Sequence, residues 1–187
     1  AQAAAREATA TRLVAFAEEH LDLARSLGEE ADGLQEEERA LTAQLALQPG
    51  TPAQRQRVVA LRERTGELER ERAAELTAAV GDLHAARQVA PDHPRVLAAL
   101  TEFYRDRVRE AEAEGRLAAA AAAAAHGDFY DREERYPLLF AGRGLVHNNG
   151  SRDISLERIG DASAPPIHIP AGGRHECPIG RYLITAF

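Results

Sequence analysis

The chain has 187 residues, enough for one ordinary domain or two small ones, and a formal net charge of −7. All 23 basic residues are arginine; the missing lysine excludes a P-loop, a protein-kinase active site and a Schiff-base nucleophile within this chain. Residues 132–187 carry 7 Arg against 6 acids, which leaves −8 on residues 1–131; such an acidic region repels phosphate and argues against nucleic-acid binding.

Ala1 stands where a natural reading frame has methionine, and the sequence contains none. Together with a strand-like ending at Phe187, this reads as a piece of a longer protein. The abundance of alanine and arginine fits the bias of a GC-rich genome. Cys177 is the single cysteine, so no internal disulfide can form. No apolar run approaches the length of a membrane span.

The first 130 residues are rich in Ala, Leu, Glu, Arg and Gln, which favour helix. A first helix is expected from about Ala3 to Leu47. Leu27, Ala31, Leu34, Glu38, Leu41 and Leu45 alternate at spacings of four and three, a heptad seam. Leu13, Ala17, Leu21 and Ala24 extend it. Glu38 is an acid on that seam and is expected to weaken it locally or set its register. Gly28 and Gly33 are expected to allow a bend. Gln48-Pro49-Gly50 stops the helix, and Thr51-Pro52-Ala53-Gln54 begins the next with a capping box and a proline at the first position. The second helix is expected to reach about Ala90, with Val58, Leu61, Thr65, Leu68, Leu76, Val80 and Leu83 on one side. Two such helices joined by a tight loop fold back as an antiparallel hairpin roughly 55–65 Å long.

Pro91-Asp92-His93-Pro94 breaks the second helix, with Asp92 or His93 available as a cap. A third helix carries Leu97, Leu100, Phe103, Tyr104, Val108 and Ala111. Gly115 marks a break, and Leu117 with Ala118–Ala125 forms a short helix expected to end at Gly127 as its cap. All six isoleucines lie after residue 130, in short β-branched runs separated by Gly, Pro and Asn. Leu138-Leu139-Phe140 and Leu145-Val146 form apolar runs. Asn148-Asn149-Gly150-Ser151 is a turn signal, with Ile154 to Ile159 as the return strand. Ile167-His168-Ile169 and Ile179 to Phe187 complete four or five strands. The fold class is therefore α+β. Its expected divisions are a helical hairpin over 1–90, paired helices over 91–131 and a small all-β sandwich-like module over 132–187.

The stretch Ala85-Ala86-Arg87-Gln88-Val89-Ala90-Pro91-Asp92-His93-Pro94, with Leu100, Tyr104, Gly115 and the alanine helix, resembles about one and a half tetratricopeptide repeats. The segment before Gly115 is longer than the standard repeat. The longer order continues through Asp128-Phe129-Tyr130-Asp131, Tyr136 and Gly142-Arg143-Gly144-Leu145-Val146 to Pro178-Ile179-Gly180-Arg181-Tyr182-Leu183-Ile184. It resembles the region after the catalytic domain of large bacterial, myxobacterial-type serine/threonine protein kinases. There a small β domain similar to the PEGA type follows the helices. The resemblance implies a non-catalytic spacer and protein-interaction region, with a protein partner or the parent's own kinase domain docking on Leu97, Leu100, Phe103 and Tyr104. It implies no cofactor, no catalytic residue and no metal. The implied location is cytoplasmic, or extracytoplasmic if a membrane helix lies upstream. Two other readings use the same residues: a cell-envelope module binding glycan or surface polymer through its β part, and a coiled coil that drives homodimerisation.

Several clusters invite chemistry. His147, His168, His175 and Cys177 share the β region, but only His175-Glu176-Cys177 has ligand-like spacing, and structural zinc sites use two such pairs. Surface histidines and an incidental thiol are the expectation. Glu18-Glu19-His20 lacks the Glu-x-x-His spacing of di-metal bundles and is expected at the solvated surface. Arg143, Arg152, Arg158 and Arg174 are expected on a surface of mixed charge.

Overall fold

The computed structural model describes residues 2–48, 50–158, 164–178 and 182–186. The chain divides into two compact units, Ala1–Val96 and Leu97–Phe187. The expected divisions lay after residues 90 and 131.

In the first unit, α1 (Gln2–Leu47) and α2 (Pro52–Val89) are helices of 46 and 38 residues. At 1.5 Å per residue they run about 69 and 57 Å. The loop between them is built as its sequence dictates. Thr51 Oγ1 accepts from the Gln54 N–H at 3.2 Å, and the Gln54 side chain accepts from the Thr51 N–H at 2.9 Å. Pro52 sits where its missing N–H costs no helical bond. A Cβ on Gly50 would fall 1.8 Å from Leu45 Cδ2, so the end of that half-buried side chain would have to turn aside.

The seam of the hairpin differs from a leucine zipper. On α1 the buried residues are Ala10, Val14, Ala17, Ala24 and Ala31, with alanines seven residues apart. Leu13, Leu21, Leu27 and Leu34 flank them, half-buried. On α2 the buried residues are Val58, Leu61, Leu68, Ala79, Leu83 and Ala86; Leu76 and Val80 are half-buried. Small residues on one helix let the large ones of the other reach into the seam.

Arg–Glu pairs at the surface bridge the two antiparallel helices. Arg57 reaches Glu37 (2.9 Å), Arg62 reaches Glu38 (2.7 Å) and Arg64 reaches Glu30 (3.5 Å). Glu38 meets Arg62 across the hairpin, and the hydrogen bond from Arg62 holds its carboxyl below the ordinary value. Gly28 lies within one unbroken helix and makes room for Arg72: a Cβ there would meet its Nε at 3.2 Å. Gly33 and Gly81 are exposed mid-helix, and a Cβ on either would meet nothing within 4 Å. Gly33→Ala and Gly81→Ala should each raise stability by ~0.5–1 kcal/mol, measured by urea unfolding. Gly28→Ala should gain less, because Arg72 must move.

The second unit continues α3 (Pro94–Ala113) into α4 (Leu117–Tyr130) through Gly115, at φ +73°. Gly127 does not end α4, as the sequence led us to expect. The helix runs on to Tyr130, and the Asp131 N–H bonds the Gly127 carbonyl. Gly127 is there because the Phe140 ring lies against it: a Cβ would fall 2.1 Å from Cε1. Gly127→Ala should therefore cost stability despite a gain in helix propensity of ~1 kcal/mol, since overpacking costs ~1–3 kcal/mol. In thermal unfolding, the loss should shrink in a Phe140→Leu background.

Leu138-Leu139-Phe140 belongs to a single helical turn, α5 (Pro137–Phe140), and not to a strand. Pro137 starts it. The Asp131 carboxylate accepts the N–H groups of Arg135 (2.9 Å) and Tyr136 (2.7 Å), which curls the chain before it can extend.

Five strands follow among the described residues: β1 (Arg143–His147), β2 (Ile154–Arg158), β3 (Ile167–Ile169), β4 (Arg174–Pro178) and β5 (Tyr182–Ala186). They form two antiparallel sheets, β1-β4 and β3-β2-β5. The class is α+β. The expected hairpin at Asn148–Ser151 does not form. β1 pairs with β4, Gly144 opposite Cys177, while β2 pairs with β3 and β5, Leu156 opposite Ile167 and Ile184. Asn148 explains the difference: it is buried, and it ties the connection down instead of letting it turn back. Leu156, Ile169 and Cys177 form the core, with Val146, Ile154, Ile167 and Tyr182 packed around. Ile159, Ile179, Gly180, Arg181 and Phe187, expected in strands, and Pro49, expected at the end of the first helix, lie outside the described residues.

Candidate functional site

The four residues expected to form a docking face do not share one surface. Leu100 is fully buried and Phe103 is 8% exposed; Leu97 and Tyr104 are half-buried. Their helix is amphipathic, and the aromatics went to its inner side. Tyr104 stacks on His126 (5.1 Å between centroids) and on Tyr130 (5.6 Å), and Phe103 meets its edge at 5.2 Å. Burial, with Tyr130 nearby, raises the Tyr104 phenol above its ordinary value. The outer ring of this group is Phe129, 59% exposed and edge-on to Tyr130.

Beside the rings, the Tyr136 hydroxyl donates to Glu102 Oε1 at 2.8 Å and accepts from Arg105 Nη1 at 2.9 Å. Arg105 also pairs with Glu102 and Asp106. These bonds join the turn before α5 to α3. They satisfy each other, which is the arrangement of a structural network.

The polar candidates of the β region separate. Cys177 is buried in the core, whereas His175 and Glu176 are exposed on the same strand. No group of three or more His, Cys, Asp or Glu among the described residues is arranged to hold a metal. Arg143 pairs with Glu176 at 3.6 Å.

Glu18 and Glu19 are exposed at the surface, as expected, while His20 is half-buried against α2. Arg95 donates to Glu18 at 2.8 Å. His20 Nδ1 lies 2.5 Å from Glu75 and Nε2 lies 3.9 Å from Asp82, both on α2. The sequence could have indicated the His20 contacts: His20 follows the buried Ala17 by three, and Asp82 follows the buried Ala79 by three.

One cavity, of about 220 Å³, has charged residues in an apolar wall. It is lined by α3, α4, Gly142 and the ends of β2 and β4. Glu112 was not singled out in the sequence, where it is one acid among many on a charged helix. Its Oε1 is buried with no hydrogen-bond partner. Burial pushes its carboxyl above the ordinary value, opposed by Arg109 nearby.

No helix among the described residues is long and apolar enough to cross a membrane. No family model, curated protein or solved structure matches the chain.

Proposed function

We propose that this chain is a non-catalytic spacer and protein-interaction region of a larger bacterial serine/threonine protein kinase. The observation that carries the reading is the helical hairpin. Two helices of 46 and 38 residues are joined along an alanine–leucine seam and bridged by interhelical Arg–Glu pairs. Because the helices are antiparallel, the start of α1 and the end of α2 lie at the same end, and the hairpin projects its loop from that end as an arm whose length offers an interaction surface. The order of elements, a hairpin, then short paired helices, then a small β module, is the order on which the kinase resemblance rests. Partner docking is assigned to the outer side of α4 around Phe129, since Leu100 and Phe103 are used internally.

The test is to read the intact gene on both sides of this segment. A kinase domain upstream, with its phosphate-binding lysine and catalytic-loop aspartate, is the expected result. A signal sequence with further β modules and no kinase would overturn the reading in favour of an envelope-binding module.

Self-association along α1 is a second reading, favoured by Phe16 and Leu23. They lie seven residues apart on one helix face and are 45% and 48% exposed. A monomeric mass at micromolar concentration in analytical ultracentrifugation would exclude it.

A further inference from the structure

Asn148 and Asn149 are the only asparagines in the chain, and the segment leaving β1 places them in opposite surroundings. Asn148 is buried. Its amide nitrogen is held by the carbonyls of Arg152, Ile169 and Pro170, and its backbone N–H and C=O pair with Gly173 and Gly172. Asn149 is exposed, and exposed Gly150 follows it. Asparagine before glycine is the pair in which a backbone nitrogen most readily attacks the side-chain carboxamide, because glycine has no Cβ to crowd the approach. Asn148 has neither the exposure nor that neighbour.

We propose that Asn149 is a site of spontaneous deamidation, latched in the folded protein by the side chain of Asn148. The Gly150 nitrogen attacks Asn149 Cγ. The new C–N bond closes a succinimide ring, the Cγ–Nδ2 bond breaks, and ammonia leaves with the proton given up by the Gly150 nitrogen. Water then adds to one of the two ring carbonyls, and opening yields aspartate or isoaspartate. The latch is the Gly150 N–H, which donates to Asn148 Oδ1 at 3.0 Å. The nitrogen attacks only after it gives up that proton and turns toward Asn149, so this hydrogen bond must open first. Oδ1 cannot swing aside freely, because the other end of the same carboxamide is fixed by three carbonyls. Isoaspartate lengthens the main chain by one carbon between the two ends of the latch, so the change undoes its own restraint. The proposal is independent of the spacer reading: either can fail alone.

The test holds the full chain at mildly alkaline pH, folded in buffer and unfolded in guanidinium chloride, and then cuts it after arginine. Cleavage after Arg143 and Arg152 releases both asparagines on one peptide. Fragmentation in a mass spectrometer is expected to place the amide-to-acid mass gain on Asn149 and not on Asn148, about tenfold or more slower in the folded chain. That slowing should match, to within about threefold, the protection of the Gly150 amide against hydrogen exchange measured by NMR in the same buffer. Asn149→Gln, in which a larger ring would have to close, should abolish the gain and leave the unfolding transition intact. Equal rates in the two samples, or folded-chain deamidation faster than Gly150 exchange permits, would overturn the latch. A gain on Asn148 first, or none on Asn149 within the time that Gly150 exchange sets, would overturn the site.

Discussion

Leu68→Ala is expected to destabilise the helical hairpin by ~2–5 kcal/mol, the range for truncating a fully buried leucine. Leu68 is 0% exposed and lies near the middle of α2. The seam allows little relaxation around the lost volume. On α1 the buried positions are four alanines and one valine, which have no spare atoms to swing into a gap. Collapse would require the helices themselves to approach, over a stretch that the Arg57–Glu37, Arg62–Glu38 and Arg64–Glu30 pairs bridge on its loop side. Urea unfolding of the full chain, followed by far-UV circular dichroism, reads the effect as a lowered midpoint. Leu13→Ala is the contrast, because Leu13 is half-buried beside the seam and loses less transfer free energy. If the two truncations cost the same, the asymmetric alanine–leucine seam is not what holds the hairpin.

That asymmetry also shows how far the sequence could be read. Both long helices, the tight loop and the capping box at Thr51 follow from local chemistry, so they were legible from neighbouring residues. The packing partner at each position was not. A leucine and an alanine both satisfy a heptad, and which goes to the centre depends on what the facing helix presents. The seam read from the sequence held Ala17, Ala24 and Ala31, which are buried, together with Leu27 and Leu34, which are only half-buried beside them. The same limit explains Gly127, a plausible helix stop whose actual partner is Phe140, thirteen residues on. It explains Glu112 too: nothing in an Arg/Glu-rich helix marks which acid turns toward a cavity formed with residues as distant as Pro178. The Asn148 segment failed differently. Its turn propensity is real, but side-chain hydrogen bonds to distant carbonyls outweigh it.

Those bonds make Asn148→Ala the second large effect, with an expected loss of ~2–4 kcal/mol from the second unit. The Asn148 amide nitrogen lies 2.8 Å from the Arg152 carbonyl, 3.2 Å from that of Ile169 and 3.0 Å from that of Pro170. Its Oδ1 accepts from the Gly150 N–H at 3.0 Å. Three carbonyls around one atom identify it as the nitrogen, its two hydrogens shared among them. Alanine removes these donors while the Ile169 end of the network stays buried. The backbone tie between the segment leaving β1 and the turn after β3, where Asn148 N–H and C=O pair with Gly173 and Gly172, is kept by alanine, so the loss reads the side-chain bonds alone. Asn148→Asp separates donor loss from shape loss. It keeps the volume but points a carboxylate at three carbonyl oxygens, so at neutral pH it should cost more than alanine. Repulsion and burial both disfavour the charged form in the folded state, raising the folded pKa of this aspartate above its unfolded value. The unfolded state then releases its proton first as pH rises. The penalty of Asn148→Asp is therefore small below the unfolded pKa and grows as pH climbs through the folded one. Thermal unfolding of both variants at acidic and neutral pH measures this directly. An aspartate variant as stable as the parent at neutral pH would mean that the three carbonyls do not need the amide, and that turn propensity alone shapes the connection.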